Sequence, residues 1–372
     1  MFANHSEEVA EKALWISLNN IYGLGSQAFF QLLKTFGSPV NIYAASHKQL
    51  KEVISDKVAG EIIKGVDEDA LADSIHWLSQ PNNHLVTLAD AHYPKKLLEI
   101  ADPPPLLYAK GNLTLLNQPS IAIVGSRNAS VQGEKNAEAF AHDLCNQGLC
   151  VVSGLALGID GAAHRGALKA NGATIAAVGT GLDIVYPAKH RDLAHHIVER
   201  GLIISEFGLG TPSKPQNFPK RNRIISGLSL GCLVVEANLQ SGSQITARLA
   251  TEQGREVFAI PGSIHSPMSK GCHQLIKQGA KLVDCLQDIL DELDIKSELA
   301  IYAESDSRVV NGHSMASDNP LLTLIGYEPI GLENLVHLSG LTVNEVSSML
   351  MLLELEGSVA SLAGGKYQKL SS

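Results

Sequence analysis

The fold of this chain is decided by the stretch Ile121-Ala122-Ile123-Val124-Gly125-Ser126-Arg127-Asn128-Ala129-Ser130-Val131-Gln132-Gly133. Four apolar residues end at a glycine turn, and the polar residues after it lead into a helical pattern, so the stretch predicts strand, turn and helix. Backbone amides at such a helix start can hold a phosphate, and Arg127 can pair with it through two hydrogen bonds. The turn could also serve close packing alone. It matches neither the dinucleotide pattern G-x-G-x-x-G nor a Walker loop.

The same alternation of short β-branched runs and helical stretches continues through residues 84–293. It predicts strands at 84–88, 121–124, 149–152, 174–178, 202–204, 232–236 and 256–260, with a weaker one at 281–283. Such βαβ units predict an α/β fold with a mostly parallel sheet. Ligands of these sheets bind outside the carboxyl ends of the strands, so we expect function in the loops that follow them.

Two more glycine-rich loops follow predicted strands, at 153–164 and 178–187. In the first of these, Asp160 and His164 lie four residues apart on one helical face, as an acid/base pair or two metal ligands would. We favour a hydrogen bond within the helix, because no third ligand or nucleophile is near in sequence. Together the glycine loops predict a broad edge suited to a polyanion.

The segment from Lys214 to Ile225 is the most informative about function. Lys214, Lys220, Arg221 and Arg223 flank Phe218, a composition that suits single-stranded nucleic acid, with cations for phosphates and a ring on which a base stacks. The alternative is a solvated basic turn with Phe218 in the core. A further turn of small residues, 236–244, offers hydroxyl groups and amides for another phosphate.

Charge and composition limit the classes of function. The net charge of −9 argues against a nucleic-acid partner, yet residues 211–230 contain no acidic residue. With 45% hydrophobic residues and 33 glycines the chain is globular rather than disordered. Its five cysteines form no C-x-x-C pair, which argues against a disulfide framework and structural zinc. We find no secretory signal or membrane span and expect a cytoplasmic protein.

The two ends of the chain predict separate domains. Residues 1–80 form helices, and the turn Ile21-Tyr22-Gly23-Leu24-Gly25 is typical of a helix-hairpin-helix. Ten acidic residues against six lysines favour a packing or protein-contact role there over DNA binding. Residues 296–318 predict a flexible linker. Residues 319–372 predict a winged helix-turn-helix, with helices from Pro320, at 332–338 and at 342–356, and a hairpin at 359–362 and 367–370. Its third helix exposes no basic residue, so protein docking is favoured over DNA reading.

Residues 93–283 resemble the DNA-processing protein A family, also called Smf, of bacterial natural transformation and recombination. The resemblance is carried by Gly125-Ser126-Arg127, Phe218-Pro219, Arg221-Asn222-Arg223-Ile224-Ile225, Ser241-Gly242-Ser243 and Pro261-Gly262. It implies an extended, doubly wound Rossmann-like domain (81–295) that binds single-stranded DNA, forms a homodimer and loads the RecA recombinase. It also implies an N-terminal SAM or helix-hairpin-helix domain (1–80) and a C-terminal winged helix (319–372). The family usually has asparagine where this chain has His273.

The resemblance assigns roles to residues of this chain. Arg127, with Gly125 and Ser126, would hold a phosphate, Phe218 would stack a base, and the basic segment would line the groove. The complete predicted nucleic-acid site is Gly125, Ser126, Arg127, Gly154, Lys214, Asn217, Phe218, Lys220, Arg221, Asn222, Arg223, Ser241, Gly242 and Ser243. No catalytic residue, metal or cofactor is implied.

Two enzymatic functions are the alternatives. Related Rossmann-type folds include nucleotide phosphoribohydrolases with a P-G-G-x-G-T loop, but Pro261-Gly262-Ser263-Ile264 lacks the second glycine and the Gly-Thr pair. A NAD(P)-dependent enzyme has still weaker support, because the dinucleotide pattern is absent. We therefore predict a non-enzymatic mediator that protects incoming single strands and loads RecA during natural transformation.

Overall fold

The computed structural model describes residues 2–293, 295, 299, 321, 324–325, 330–339, 343, 346, 349–350, 359–362 and 366–369. The chain divides into two compact units, Met1–Ala303 and Glu304–Ser372. Among the described helices, none is both long and apolar enough to cross a lipid bilayer.

The described helices and strands follow the predicted order. The helices are α1 (Phe2–Asn20), α2 (Ser26–Phe36), α3 (Pro39–Ala44), α4 (His47–Lys51), α5 (Asp56–Ile63), α6 (Glu68–Leu78), α7 (Lys95–Leu98), α8 (Val131–Asn146), α9 (Ile159–Lys169), α10 (Arg191–Arg200), α11 (Asn217–Leu228), α12 (Gly242–Glu252), α13 (Lys270–Lys277), α14 (Leu286–Glu292) and α15 (Leu332–Ser339). The strands are β1 (Asn83–Thr87), β2 (Leu106–Gly111), β3 (Ser120–Val124), β4 (Cys150–Ser153), β5 (Thr174–Ala177), β6 (Leu202–Ser205), β7 (Gly231–Val234), β8 (Glu256–Ala259), β9 (Lys281–Leu282), β10 (Ile330–Gly331), β11 (Val359–Leu362) and β12 (Lys366–Lys369).

The central sheet of the first unit has the order β1-β2-β6-β5-β4-β3-β7-β8-β9. Strands β6 to β9 of this order run parallel, whereas β2 runs antiparallel to both β1 and β6. The predicted mostly parallel α/β sheet is therefore confirmed. Strand β2 was not predicted from the sequence, because a short apolar run directly after three prolines has no periodicity that separates a strand from a loop.

The two faces of the sheet are covered by different helices because side chains alternate along each strand. Ile121 and Ile123 of β3 pack in one core with apolar residues of α8 and α9. Their neighbours Ala122 and Val124 pack in the opposite core with residues of α11 and α12. This double winding leaves the loops after β3, β4, β5 and β7 together at the carboxyl edge.

The N-terminal helices share their core with the edge of the sheet. Trp15 and Phe29 stack with ring centroids 5.5 Å apart, as expected for the two helices that flank the predicted glycine turn. Leu106 and Tyr108 of β2 are buried in the same cluster. Residues 1–80 are thus helical as predicted and pack directly on β1 and β2. That they form a separate domain remains a prediction.

The second unit contains a small antiparallel sheet of order β10-β12-β11 beside α15. The predicted second helix and hairpin strands agree with α15, β11 and β12. The predicted third helix, 342–356, lies largely outside the described residues. The predicted linker, 296–318, also lies outside them except for Leu299, which packs against the core of the first unit.

Asp160 and His164 do not bond to each other, so the predicted hydrogen bond within the helix is wrong. The Asp160 carboxylate instead accepts hydrogen bonds from the amides of Gly154 and Ala156, at 3.2 and 3.4 Å. The Nδ1 atom of His164 lies 2.7 Å from Thr174 Oγ1, and that hydroxyl donates to the Val151 carbonyl. Both side chains are structural, since their partners come from neighbouring strands and loops.

His164 makes the stability of the fold depend on pH. Burial, aided by the nearby charge of His190, lowers the pKa of His164 to about 3, whereas an unfolded histidine has a pKa of about 6.5. Between these values only the unfolded chain binds the proton, so the stabilising contribution is present above about pH 6.5 and is lost as the pH falls towards 3. We expect this group to remove about 2 kcal/mol from the free energy of unfolding between about pH 7 and pH 5.

Urea unfolding of wild type and His164→Asn at these two pH values checks this expectation. Asparagine keeps an amide donor for Thr174 but does not titrate, so the variant should lose about 2 kcal/mol less than wild type over the interval. Equal losses would show that His164 does not control this part of the pH dependence.

Candidate nucleic-acid interface

A cavity of about 580 Å³ opens at the carboxyl edge of the sheet, where the loops after β3, β4, β5 and β7 meet. We call it the edge cavity. Nine of the predicted site residues line it: Gly125, Ser126, Arg127, Phe218, Arg221, Asn222, Ser241, Gly242 and Ser243. The sequence prediction missed Asn128, Ala156, Asp160, Tyr186, Ser213, Pro215, Pro219, Asn238, Gln240 and Thr246, which also line it. Most of these are small or polar and carry no pattern by which sequence could identify them.

The turn after β3 is held from both sides by backbone hydrogen bonds. The Ser126 amide donates to the Glu236 carbonyl at 2.8 Å, and the Ser126 carbonyl accepts from the Ile159 amide at 3.2 Å. The Ser126 hydroxyl accepts from the Asn128 amide at 3.1 Å. These bonds place Arg127 at the cavity wall with no ion pair to a carboxylate among the described residues, so its guanidinium can serve a ligand.

The start of α8 is occupied by a carboxylate of the chain itself. Glu236 accepts hydrogen bonds from the amide and the hydroxyl of Ser130. A Cβ atom on Gly133 would lie 2.4 Å from the Glu236 Cδ atom, so only glycine permits this approach. Sequence analysis predicted that amides here could hold a phosphate. A phosphate would instead have to bind beside Arg127, because negative charge already lies at the helix start.

Phe218 lies at the centre of an aromatic and cationic group. The Arg127 guanidinium carbon is 5.2 Å from the Phe218 ring centroid, a cation–π distance. On the other side, the Tyr186 ring lies 5.8 Å from Phe218 with the planes inclined at 38°. Tyr186 follows the third predicted glycine loop and is 45% exposed. The edge cavity therefore combines aromatic faces with a positive charge.

Arg221 lines the edge cavity from beneath. Its Nη1 atom donates to the carbonyls of Gly154 and Ala177, at the ends of β4 and β5, and its Nε atom donates to Asn222 Oδ1. Burial lowers the pKa of Arg221 to about 10, although the Asp160 carboxylate opposes this shift. A Cβ atom on Gly154 would lie 2.3 Å from Nη1, so the glycine is needed for this packing. Arg221 binds two strand ends together and adds positive potential.

The remaining predicted residues lie away from the cavity lining. The Asn217 side chain is buried and donates to the Gly179 carbonyl at 3.0 Å, which ties the third loop to α11. Arg223 pairs with Glu206 and lies 3.5 Å from Asp102 Oδ2, on a different face of α11. Lys214 and Lys220 are exposed beside the cavity. The basic segment thus contains structural cations as well as solvent-exposed ones.

The start of α12 completes the opposite wall. The Ser241 hydroxyl accepts from the Ser243 amide at 3.3 Å and lies 2.7 Å from the Ser243 hydroxyl. Gly242 has open space where a Cβ atom would be, so a ligand can approach its backbone. This wall offers hydroxyl and amide groups opposite the arginine.

Two family models match the chain. Residues 84–294 match the model described as DNA recombination-mediator protein A. Residues 314–365 match the DprA winged helix domain, which confirms the predicted C-terminal winged helix.

Several named relatives share this similarity. Protein Smf of Escherichia coli K12 is 44% identical over 299 residues, which cover 80% of each chain. DNA processing protein DprA of Streptococcus pneumoniae is 51% identical over 208 residues, covering 56% of this chain and 73% of that one.

Two solved structures are similar to the first unit. An X-ray structure of DprA from S. pneumoniae is 40% identical, with a TM-score of 0.68, and covers 76% of this chain and 98% of that one. A Helicobacter pylori DprA structure, which concerns the single-stranded DNA binding mode of that protein, is 31% identical with a TM-score of 0.52. It covers 56% of this chain and 95% of that one.

Proposed function

This chain belongs to the DNA recombination-mediator protein A family, and from that premise we propose that it is a recombination mediator that binds single-stranded DNA in the edge cavity. The observation that carries the proposal is the Arg127 guanidinium 5.2 Å from the Phe218 ring, in a cavity with hydroxyl and amide groups on the opposite wall. A base can stack on an aromatic face while a cation binds the adjacent phosphate, and this combination accepts any base sequence. The structure of the H. pylori relative with single-stranded DNA supports the same ligand class.

We propose further that the protein is not an enzyme. Of the described residues that line the edge cavity, only Asp160 has a carboxylate. That carboxylate is bound by two amides and faces the Arg221 cation, so it is held in place rather than available as a base. A nucleotide hydrolase would need an accessible carboxylate beside its substrate. The alternative of a nucleotide-hydrolysing enzyme is therefore not favoured.

The later steps of the proposed role come from family membership. The protein would act as a homodimer in the cytoplasm, protect incoming single strands during natural transformation and load the RecA recombinase. The acidic winged helix would dock a protein partner rather than read DNA. RecA loading is tested by the rate of RecA-dependent ATP hydrolysis on a single strand coated with single-strand-binding protein, which the protein should increase. An unchanged rate would contradict loading.

Fluorescence anisotropy with labelled oligo-dT and a duplex of equal length tests the binding itself. We expect the single strand to bind more tightly, because a stacked and paired base cannot reach the Phe218 ring. Raising the salt concentration should weaken binding, with a slope of about −0.7 in log K against log salt for each phosphate contact. Arg127→Lys should retain that slope, whereas Arg127→Gln should reduce it by about 0.7.

The same titrations distinguish the alternatives. Absence of binding to oligo-dT at low salt would reject the proposed function. Binding to the duplex as tight as binding to the single strand would show that the phosphate backbone alone is recognised. Release of free base from a nucleoside monophosphate would favour the hydrolase.

A further inference from the structure

We propose that Tyr186 is a second platform for a nucleobase, so that the edge cavity holds two consecutive nucleotides with one base against Phe218 and its neighbour against Tyr186. This inference rests on the proposed single-strand binding and defines which strands the site prefers. It assigns a role to a ring that the sequence prediction of the site did not include.

The position of Tyr186 carries the first step. Its ring lines the edge cavity and is 45% exposed, whereas Tyr93 and Tyr108 of the same unit are buried. A large exposed aromatic side chain beside a cavity is typical of a binding surface. The ring also lies next to Phe218, which is the proposed stacking residue, rather than at an isolated place on the surface.

The loop that carries Tyr186 is held before any ligand binds. The Thr180 hydroxyl donates to the Ile184 carbonyl at 2.9 Å, and the Ile184 amide donates to the Gly181 carbonyl at 3.1 Å. Beyond the ring, the His190 amide donates to the Pro187 carbonyl at 2.9 Å. Little ordering of this backbone is then needed on binding, which favours affinity.

The geometry of the two rings determines how the bases must lie. The ring centroids of Tyr186 and Phe218 are 5.8 Å apart and their planes are inclined at 38°. Successive stacked bases are parallel and about 3.4 Å apart, so two bases lying against these rings cannot remain stacked on each other. The Arg127 guanidinium, 5.2 Å from the Phe218 centroid, is placed to bind the phosphate between or beside them.

This arrangement predicts a preference among single strands. A run of thymines is weakly stacked and separates its bases at little cost, whereas a run of adenines must first lose base stacking. We therefore expect oligo-dT to bind more tightly than oligo-dA of equal length. The preference should depend on Tyr186, because one platform alone does not require two neighbours to separate.

Anisotropy titrations of oligo-dT and oligo-dA test the proposal with four variants. Tyr186→Ala and Tyr186→Leu should bind oligo-dT about 5- to 150-fold more weakly, the equivalent of about 1–3 kcal/mol for one stacked base. In both, the ratio of the oligo-dA to the oligo-dT dissociation constant should fall towards one. Tyr186→Phe keeps the aromatic face and should behave as wild type. Tyr22→Ala is the matched control, since Tyr22 is 84% exposed but lies outside the edge cavity.

Each outcome has a distinct meaning. If wild type does not bind oligo-dT, the proposed function itself fails. If wild type binds and Phe218→Ala weakens binding while both Tyr186→Ala and Tyr186→Leu bind as wild type, only the second platform is rejected. Loss of affinity in Tyr186→Phe equal to that in Tyr186→Ala would assign the effect to the hydroxyl group and reject stacking. Circular dichroism identifies a misfolded variant, and Tyr186→Leu, which keeps apolar bulk, then decides.

Discussion

Replacing Arg127 and Phe218 together with alanine is expected to weaken single-strand binding by about 30- to 1000-fold. Loss of a base stack costs about 1–3 kcal/mol, and loss of a hydrogen bond to a charged group costs about 1.5–3 kcal/mol. The guanidinium lies 5.2 Å from the Phe218 ring, so the two losses should not add fully. The measurement is anisotropy with labelled oligo-dT at constant salt.

A matched double variant controls for the loss of one arginine and one ring. Arg200 and Tyr22 are exposed residues of the same types outside the edge cavity. Their joint replacement by alanine should leave the affinity near that of wild type. Wild-type affinity in the Arg127 and Phe218 variant would show that the strand binds elsewhere.

Arg223→Met is expected to lower the free energy of unfolding by about 3–5 kcal/mol while leaving single-strand affinity unchanged. Arg223 and Glu206 pair with side chains only 11% and 13% exposed, and Asp102 lies on the other side of the guanidinium. Burial raises the pKa of Glu206, and the arginine cation opposes that shift. Without Arg223 the carboxyl group is left buried and unpaired, and this cost falls on the folded state alone.

Urea unfolding and oligo-dT titration of the same preparation separate the two roles of Arg223. Arg248→Met is the control, because Arg248 and Glu252 form a pair whose side chains are 69% and 59% exposed. An exposed pair contributes about 0–1 kcal/mol, so this variant should be nearly as stable as wild type. A stable Arg223→Met protein with weakened binding would return Arg223 to the DNA groove.

The sequence predicted much of the sheet but could not assign roles within the basic segment. Residues i and i+2 of a helix do not share a face, so Arg221 and Arg223 point to different surroundings once α11 has formed. One donates to the ends of β4 and β5, and the other pairs with Glu206 after β6. In the linear sequence both are simply cations beside Phe218.

A similar limit applies to the first glycine loop. The sequence pattern of 121–133 correctly predicted a strand, a turn and a helix, and placed Arg127 in the turn. It could not show that Glu236, more than a hundred residues later, binds Ser130 at the start of α8. A phosphate site expected at the helix start is therefore occupied by the chain's own carboxylate.

By itself, the sequence determined the α/β sheet, the edge at which its loops gather, and the presence of an aromatic ring among cations at that edge. These follow from apolar periodicity and from the rule that parallel strands present their carboxyl ends together. The tertiary structure alone decided which cation remains available to a ligand and that Tyr186 lies beside Phe218. The reason is physical: hydrogen bonds and ion pairs join groups that are distant along the chain, and the partner a buried charge finds depends on the packing of whole helices and strands.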